Sequence, residues 1–167
     1  MGGMQPLNSN WRLGGPHDDD PIVSMCLALN AEDPGPDPVS AEQIRRTLTA
    51  LRAEPWRGAA VVCDAGRSLS GYALLISFWS NELGGEICVI DELFVRPAYR
   101  GRGLATALIE RLMRGDRSLW SRAAAALALE VTPENSRARA LYERLGFRRA
   151  NVCMQFRMSD PKAGESS

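Results

Sequence analysis

The sequence has one histidine, His17, one lysine, Lys162, and no C-x-x-C spacing. Its four cysteines, Cys26, Cys63, Cys88 and Cys153, are far apart and lie in apolar runs. A zinc site needs clustered Cys and His, and a disulfide framework needs regular Cys spacing. Neither is expected, and buried free thiols in a reducing compartment fit better. The Asp18-Asp19-Asp20 run before Pro21 could suggest a metal, but helix capping and solvation explain it. No apolar run reaches the ~20 residues that span a membrane. The N-terminus lacks the charged-then-apolar layout of a signal peptide, so a cytoplasmic location is expected. Charge of one sign is also missing, with 20 basic and 20 acidic residues in 167. No basic run is interleaved with aromatics, so a nucleic-acid partner is not expected. The common phosphate signatures are absent too. There is no G-x-x-x-x-G-K-[ST], and Thr106 stands where G-x-G-x-x-G would need its third Gly.

What is present centres on residues 90–105, IDELFVRPAYRGRGLA. Glu86 to Val95 reads as an apolar strand with two carboxylates, Asp91 and Glu92. Arg100-Gly101-Arg102-Gly103 reads as a tight turn. Leu104, Leu108 and Leu112, flanked by Ala105, Ile109 and Met113, repeat at helical spacing. A glycine turn before a helix start is suited to anions: the first helical N–H groups have no intrahelical partner, and glycine lets a phosphate approach them.

Around this stretch the chain reads in order. Residues 1–10 are expected to be a mobile leader and 11–158 a single domain, followed by a polar tail over 159–167. Trp11 to Leu13 is a first strand with a poor signal. Ile22, Met25, Cys26 and Leu29 form a helical stripe. A Pro-, Asp- and Gly-rich loop over 32–38 precedes a capping box, Ser40 with Gln43, and a second stripe of Ile44, Leu48 and Leu51. Ala59–Cys63 and Ser70–Trp79 are read as a hairpin. The helix after Gly103 is expected to reach about Ala123, with a break near Gly115-Asp116. Ala126–Val131 is a buried strand. A last helix starts near Asn135, carries Ala138, Leu141, Tyr142 and Leu145, and stops at Gly146. Strand material is expected from Phe147 to Arg157. The order is β-α-α-β-β-β-α-β-α-β, an α/β (α+β) class, with no internal repeat.

Two phrases within this order carry a resemblance. The turn holds R-x-x-G-x-A from Arg100 to Ala105, inside V-R-P-x-Y-R-G-R-G-L-A. The second phrase, E-V-T-P-E-N-S-R-A-R-A-L-Y-E-R-L-G-F, runs from Glu130 to Phe147 with Asn135 seven residues before Tyr142. Both resemble the GNAT superfamily of acetyl-CoA-dependent N-acetyltransferases, over about residues 10–158. The resemblance implies a mixed, mostly antiparallel sheet with a splay between its central strands, flanked by about four helices. It also implies acetyl-CoA as co-substrate, a small-molecule amine as acceptor, no metal, and a homodimer as the family's common state.

Site roles follow from that resemblance. The diphosphate of CoA would lie on backbone N–H groups of Arg100, Gly101, Arg102, Gly103, Leu104, Ala105 and Thr106. The pantetheine arm would pair with Leu93, Phe94 and Val95, and meet Asn135 and Ala138. Arg96, Arg100, Arg102 and Arg137 could meet phosphates, or each could be a solvated surface residue. An alkyl amine with a pKa of ~10.4 must lose a proton to attack, and a carboxylate with a raised pKa can take it. Adjacent strand residues face opposite sides unless a bulge intervenes, so one of the pair is expected to serve. Glu92 is preferred as the base. Asp91 stays open, because the acidic pair resembles that of polyamine acetyltransferases, and cation binding is the rival role for either. A backbone N–H near Leu93 or Phe94 would stabilise the oxyanion, and Tyr142 would be the acid for the departing thiolate. Phe78, Trp79 and Glu82, with Glu86, are expected to edge an acceptor site suited to a cationic, polyamine-like amine. A non-catalytic acyl-CoA-binding or interaction module of the same fold is the alternative.

Overall fold

Strand alternation shows which face of each strand is buried, and here both faces are. Val61 and Cys63 with Ala73 and Leu75 enter one apolar cluster, while Val62 with Tyr72 and Leu74 enters another on the opposite side. A sheet covered on both faces needs helices above and below. The computed structural model, which describes residues 10–148, has that arrangement. β1 (Trp11–Leu13), β2 (Gly58–Asp64), β3 (Leu69–Ser80), β4 (Gly85–Val95) and β5 (Ala126–Leu129) form one sheet in chain order. The first four are antiparallel neighbours, and β5 pairs with β4 in parallel. α1 (Asp19–Glu32) and α2 (Ala41–Ala53) supply Ile22, Met25, Cys26, Ile44 and Leu48 to one cluster. α3 (Leu104–Met113) and the loop after it supply Leu108, Ile109, Leu119 and Trp120 to the other. α4 (Ser136–Arg144) packs Tyr142 at that cluster's edge. The expected fold class is therefore present, with the sheet mostly antiparallel.

A single extra residue in β4 organises the centre. Leu75 pairs with Ile90 and Leu74 with Glu92, so Asp91 has no partner of its own on β3. Such a bulge shifts the alternation by one. Cys88 and Ile90 face the α3 cluster. Beyond the bulge Leu93 packs on that side, while Phe94 faces the α1–α2 cluster. β5 pairs with Ile87 to Ile90 and goes no further. The edge of β4 from Asp91 to Val95 thus has no strand on its β5 side among the described residues, which is the expected splay.

Several boundaries differ from expectation. α3 ends at Met113, because Gly115 takes φ +72° and Asp116 caps the following turn. Asp116 accepts from Ser118 and Arg111, and the turn swings Leu119 and Trp120 into the core, so 116–123 continues no helix. β5 stops at Leu129 rather than Val131. The Ser40–Gln43 capping box and the glycine stop at Gly146, with φ +94°, are as read. Cys26, Cys63 and Cys88 are buried and free. Among the described residues no helix is long and apolar enough to cross a membrane, and no cluster of metal-ligating side chains occurs. Residues 1–9 of the expected leader over 1–10, Cys153, most of the last expected strand and the expected tail lie outside the described residues.

The short β1 is held by side chains rather than by strand propensity. The Trp11 indole donates to the Leu104 carbonyl at 2.9 Å, tying the sheet edge to the start of α3. Arg12 grips two carboxylates, Asp18 at 2.8 Å and Asp64 at 2.7 Å. Asp18 is buried and also accepts from the Gly15 amide. The Arg12 guanidinium first, and that amide, hold its carboxyl below the usual range against the opposing effect of burial. Arg12→Ala should destabilise the fold by ~2–3 kcal/mol at pH 7, since Asp18 would remain buried without its counter-ion. Because the folded-state pKa of Asp18 is depressed, this stabilisation is complete above the unfolded value. It fades as pH falls through the folded one. Urea melts of both proteins should show the gap narrowing between pH 7 and pH 3.

Candidate active site

α3 begins without a side-chain cap. Gly103 sits at the N-cap with φ +75°, and the same positive φ occurs at Gly101. A Cβ on either glycine would meet nothing within 4 Å, so open space lies beside the turn. The first amide after the turn to find an acceptor is that of Ala107, which donates to the Gly103 carbonyl at 2.9 Å. The six amides from Gly101 to Thr106 donate to no protein group among the described residues. Six consecutive free donors at the positive end of a helix dipole form a strong anion cradle.

The cradle opens into a cavity of about 490 Å³. One wall is the end of β4, Leu93 to Val95, which pairs with β3 but has no strand on its β5 side among the described residues. The facing wall is α4 with Asn135, Ala138, Leu141 and Tyr142. Gly101, Gly103, Leu104, Ala105 and Thr106 close one end, and Leu29 and Glu32 of α1 another. Nearly every residue expected to hold the acyl donor therefore shares one cavity. Arg102 is the exception: it turns back to the Ala98 carbonyl at 3.1 Å and lies over the Tyr99 ring.

The arginines have separate duties. Arg100 donates to the Val95 carbonyl at 2.8 Å, pairs with Glu32 at 2.7 Å and lies over the Phe94 ring, so it braces the turn against β4 and α1. Arg96 donates to the Leu69 carbonyl at 2.9 Å. Arg137 lines the cavity and makes no hydrogen bond among the described residues, which leaves it available to an anion. Arg144, missed in the sequence, lines it too. Its spacing of seven from Arg137, two helical turns, was the available signal. Asn135 caps α4 by accepting from the Ala138 amide at 3.1 Å and donates to Asp33, at the end of α1, at 3.4 Å.

Asp91 and Glu92 stand just beyond the cavity, at the bulge. Asp91 is solvent-exposed, yet desolvation by surrounding protein raises its pKa, followed by the charges of Glu92 and Glu130. Glu92 turns to the α1 face, where its Oε2 accepts from the Tyr72 hydroxyl at 2.7 Å and the Cys26 thiol at 3.1 Å. Tyr142 lines the cavity with its ring edge on Phe147, centroids 5.8 Å apart, and desolvation raises its phenol pKa. The phenol therefore stays protonated beyond the ordinary range. Phe78, Trp79 and Glu82 are elsewhere. Phe78 and Trp79, 59% and 67% exposed, pair with Ile87 and Glu86 at the opposite end of β4. That is ~23 Å of strand from Gly71, which faces Val95 at the cavity. Glu86 is taken by Ser77 at 2.6 Å and Arg122 at 2.7 Å.

The family description "Acetyltransferase (GNAT) family" matches residues 23–147 of this chain. Mycothiol acetyltransferase of Beutenbergia cavernae is 34% identical over 133 residues, covering 78% of this chain and 42% of the relative. Mycothiol acetyltransferase of Clavibacter michiganensis subsp. michiganensis is 34% identical over 158 residues, 93% of this chain and 48% of the relative. The chain thus spans a little under half the length of these relatives. Among solved structures, a "possible acetyltransferase" from Clostridium difficile 630 superposes with a TM-score of 0.74 at 20% identity, over 90% of this chain and 97% of that one, which speaks for the fold. With the family match extending from α1 past α4, this chain belongs to the GNAT acetyltransferase family.

Proposed function

We propose that this chain transfers an acetyl group from acetyl-CoA to a primary amine by direct attack in a ternary complex. The observation that carries the reading is the convergence of six free amides, an unpaired strand edge and a protonated phenol on one cavity. The donor set fits CoA chemically. Amides 101–106, with Arg137 and Arg144, suit its phosphates, and the main chain of Leu93–Val95 suits the amides of its pantetheine arm. Acetyl-CoA supplies an activated thioester; the protein supplies the proton transfers and the alignment.

Three tasks fall to this chain. The acceptor amine, mostly protonated at neutral pH, gives its proton to the carboxylates at the bulge. Asp91 is favoured over Glu92 as the immediate acceptor: it is exposed, its proton affinity is raised, and no protein hydrogen bond occupies it among the described residues. A backbone N–H of the splayed segment, near Leu93 or Phe94, donates to the carbonyl oxygen as charge develops there. Tyr142 donates its proton to the leaving sulfur. Two relatives are mycothiol acetyltransferases, which supports a small-molecule acceptor. The acidic surroundings, Asp91 with Glu92 and Glu130, favour a cationic, polyamine-like one.

The test is CoA release from acetyl-CoA against a panel of amines. Turnover of one amine class should fall by ~10²-fold or more in both Tyr142→Phe and Asp91→Asn. Tight acetyl-CoA binding without turnover of any amine would return the binding-module reading, and no acetyl-CoA binding would overturn both. Asp91→Asn also has a signature in stability. A carboxyl whose folded pKa is raised destabilises the fold when ionised, above that pKa. The variant should therefore melt at a higher temperature than the parent at pH 7.5. The difference should vanish at pH values below the unfolded-state pKa of Asp91.

A further inference from the structure

Two elements aim a donor at one oxygen of Glu92. The Tyr72 hydroxyl comes from β3 and the Cys26 thiol from α1, and both donate to Oε2, at 2.7 and 3.1 Å. Tyr72 is 0% and Cys26 1% exposed, among Ile22, Met25 and Leu48. Oε1 accepts no hydrogen bond among the described residues. Packing alone does not ask for this pair. A Phe and an Ala would fill a core without burying a hydroxyl that must then find a partner. The two donors are also permanent. Burial, and behind it the charge of Glu92, pushes the phenol far above its usual range. Burial pushes the thiol up to about 12.

The charges around the pair are one-sided. α1 presents Cys26, β3 presents Tyr72, β4 itself presents Asp91, and Glu130, after β5, acts on Asp91. No arginine or histidine is ion-paired or hydrogen-bonded to Asp91 or Glu92 among the described residues. Two adjacent carboxylates without a counter-ion tend to retain a proton between them. Two neutral donors fix one oxygen of Glu92 in place and bring no counter-charge to the pair. The bulge makes this possible, because it turns Glu92 from the α3 face to the face where Tyr72 and Cys26 are.

We propose that Tyr72 and Cys26 are positioning residues for acyl transfer: by holding Glu92 through Oε2 on the α1 face, they keep its Oε1 and Asp91 together as the pair that accepts the amine proton. This rests on the acetyltransferase reading above. Removing the Tyr72 hydroxyl should raise the last proton dissociation of the pair by ~1–2 pH units, the size of one hydrogen bond to a charged group.

Tyr72→Phe keeps the ring and loses only the donor, and two measurements decide. The acid limb of kcat/KM against pH, with the amine the parent turns over, should move up by ~1–2 units, with most of the rate recovered at high pH. A carbon-13 NMR titration of labelled glutamate in the substrate-free protein, with Glu92 assigned through Glu92→Gln, should move its midpoint in the same direction. Cys26→Ser, which retains a donor, should leave both near the parent, whereas Cys26→Ala should raise both. That second pair decides the matter if Tyr72→Phe does not fold. A lower melting temperature with an unmoved limb and midpoint would reduce Tyr72 and Cys26 to packing and overturn the proposal. Absence of turnover in the parent would sink the acetyltransferase reading instead; the titration would still report whether the two donors set the proton affinity of Glu92.

Discussion

One extra residue in a central strand governs how this protein is put together. Asp91 has no partner on β3, and everything C-terminal to it along β4 is turned by half a strand period. Without it, Glu92 and Phe94 would share the face of Cys88 and Ile90, placing a carboxylate in the apolar cluster under α3. With it, Glu92 reaches Tyr72 and Cys26, Phe94 joins the α1–α2 core, and Leu93 lines the cavity. The same irregularity coincides with the end of β4–β5 pairing, so the main chain of Leu93–Val95 has no neighbouring strand on that side among the described residues. A sheet that remained regular would have neither the opening nor Glu92 beside Tyr72 and Cys26.

The anion cradle depends on a second departure from ordinary economy. Helix starts are commonly stabilised by a capping side chain, as Ser40 and Asn135 do for α2 and α4. α3 has Gly103 there instead, and its first amides meet no acceptor among the described residues. Stability is recovered from outside the turn. Trp11 bonds the Leu104 carbonyl, Arg111 of α3 donates to the Trp11 carbonyl, and Arg100 is braced by Val95 and Glu32. An open, donor-rich turn is held by neighbours so that its own groups stay unused. The guanidinium that the turn motif places first is part of that brace, and the cavity-lining arginines without a partner among the described residues, Arg137 and Arg144, belong to α4.

The cavity also joins segments distant in the chain. The end of α1 touches Arg100 through Glu32, and touches Thr132 and Asn135 through Asp33. α1 thus meets both walls of the splay. The aromatic pair at the far end of β3 belongs to a different part of the surface, beside the ion pair of Glu86 with Arg122.

Much of this was legible in residue order. Helical spacing of Ile44, Leu48 and Leu51, the Ser40–Gln43 box, the glycine stop at Gly146 and the strand-turn-helix around Gly101–Gly103 are local patterns, enforced by backbone sterics and the need to bury apolar faces. They suffice for the order of elements and, with two phrases in the right places, for the family. What they could not convey is phase and reach. A run such as ICVIDELFV reads the same with or without a bulge, because its apolar residues suit either face. Whether Arg100 binds a ligand or braces a turn depends on Glu32, 68 positions away. Whether Phe78 neighbours the site depends on which end of a hairpin meets the splay. Local chemistry therefore determined the elements and the chemical class. Only tertiary packing decided the face of Glu92 and the partners left to each donor, because both depend on residues far apart in the chain.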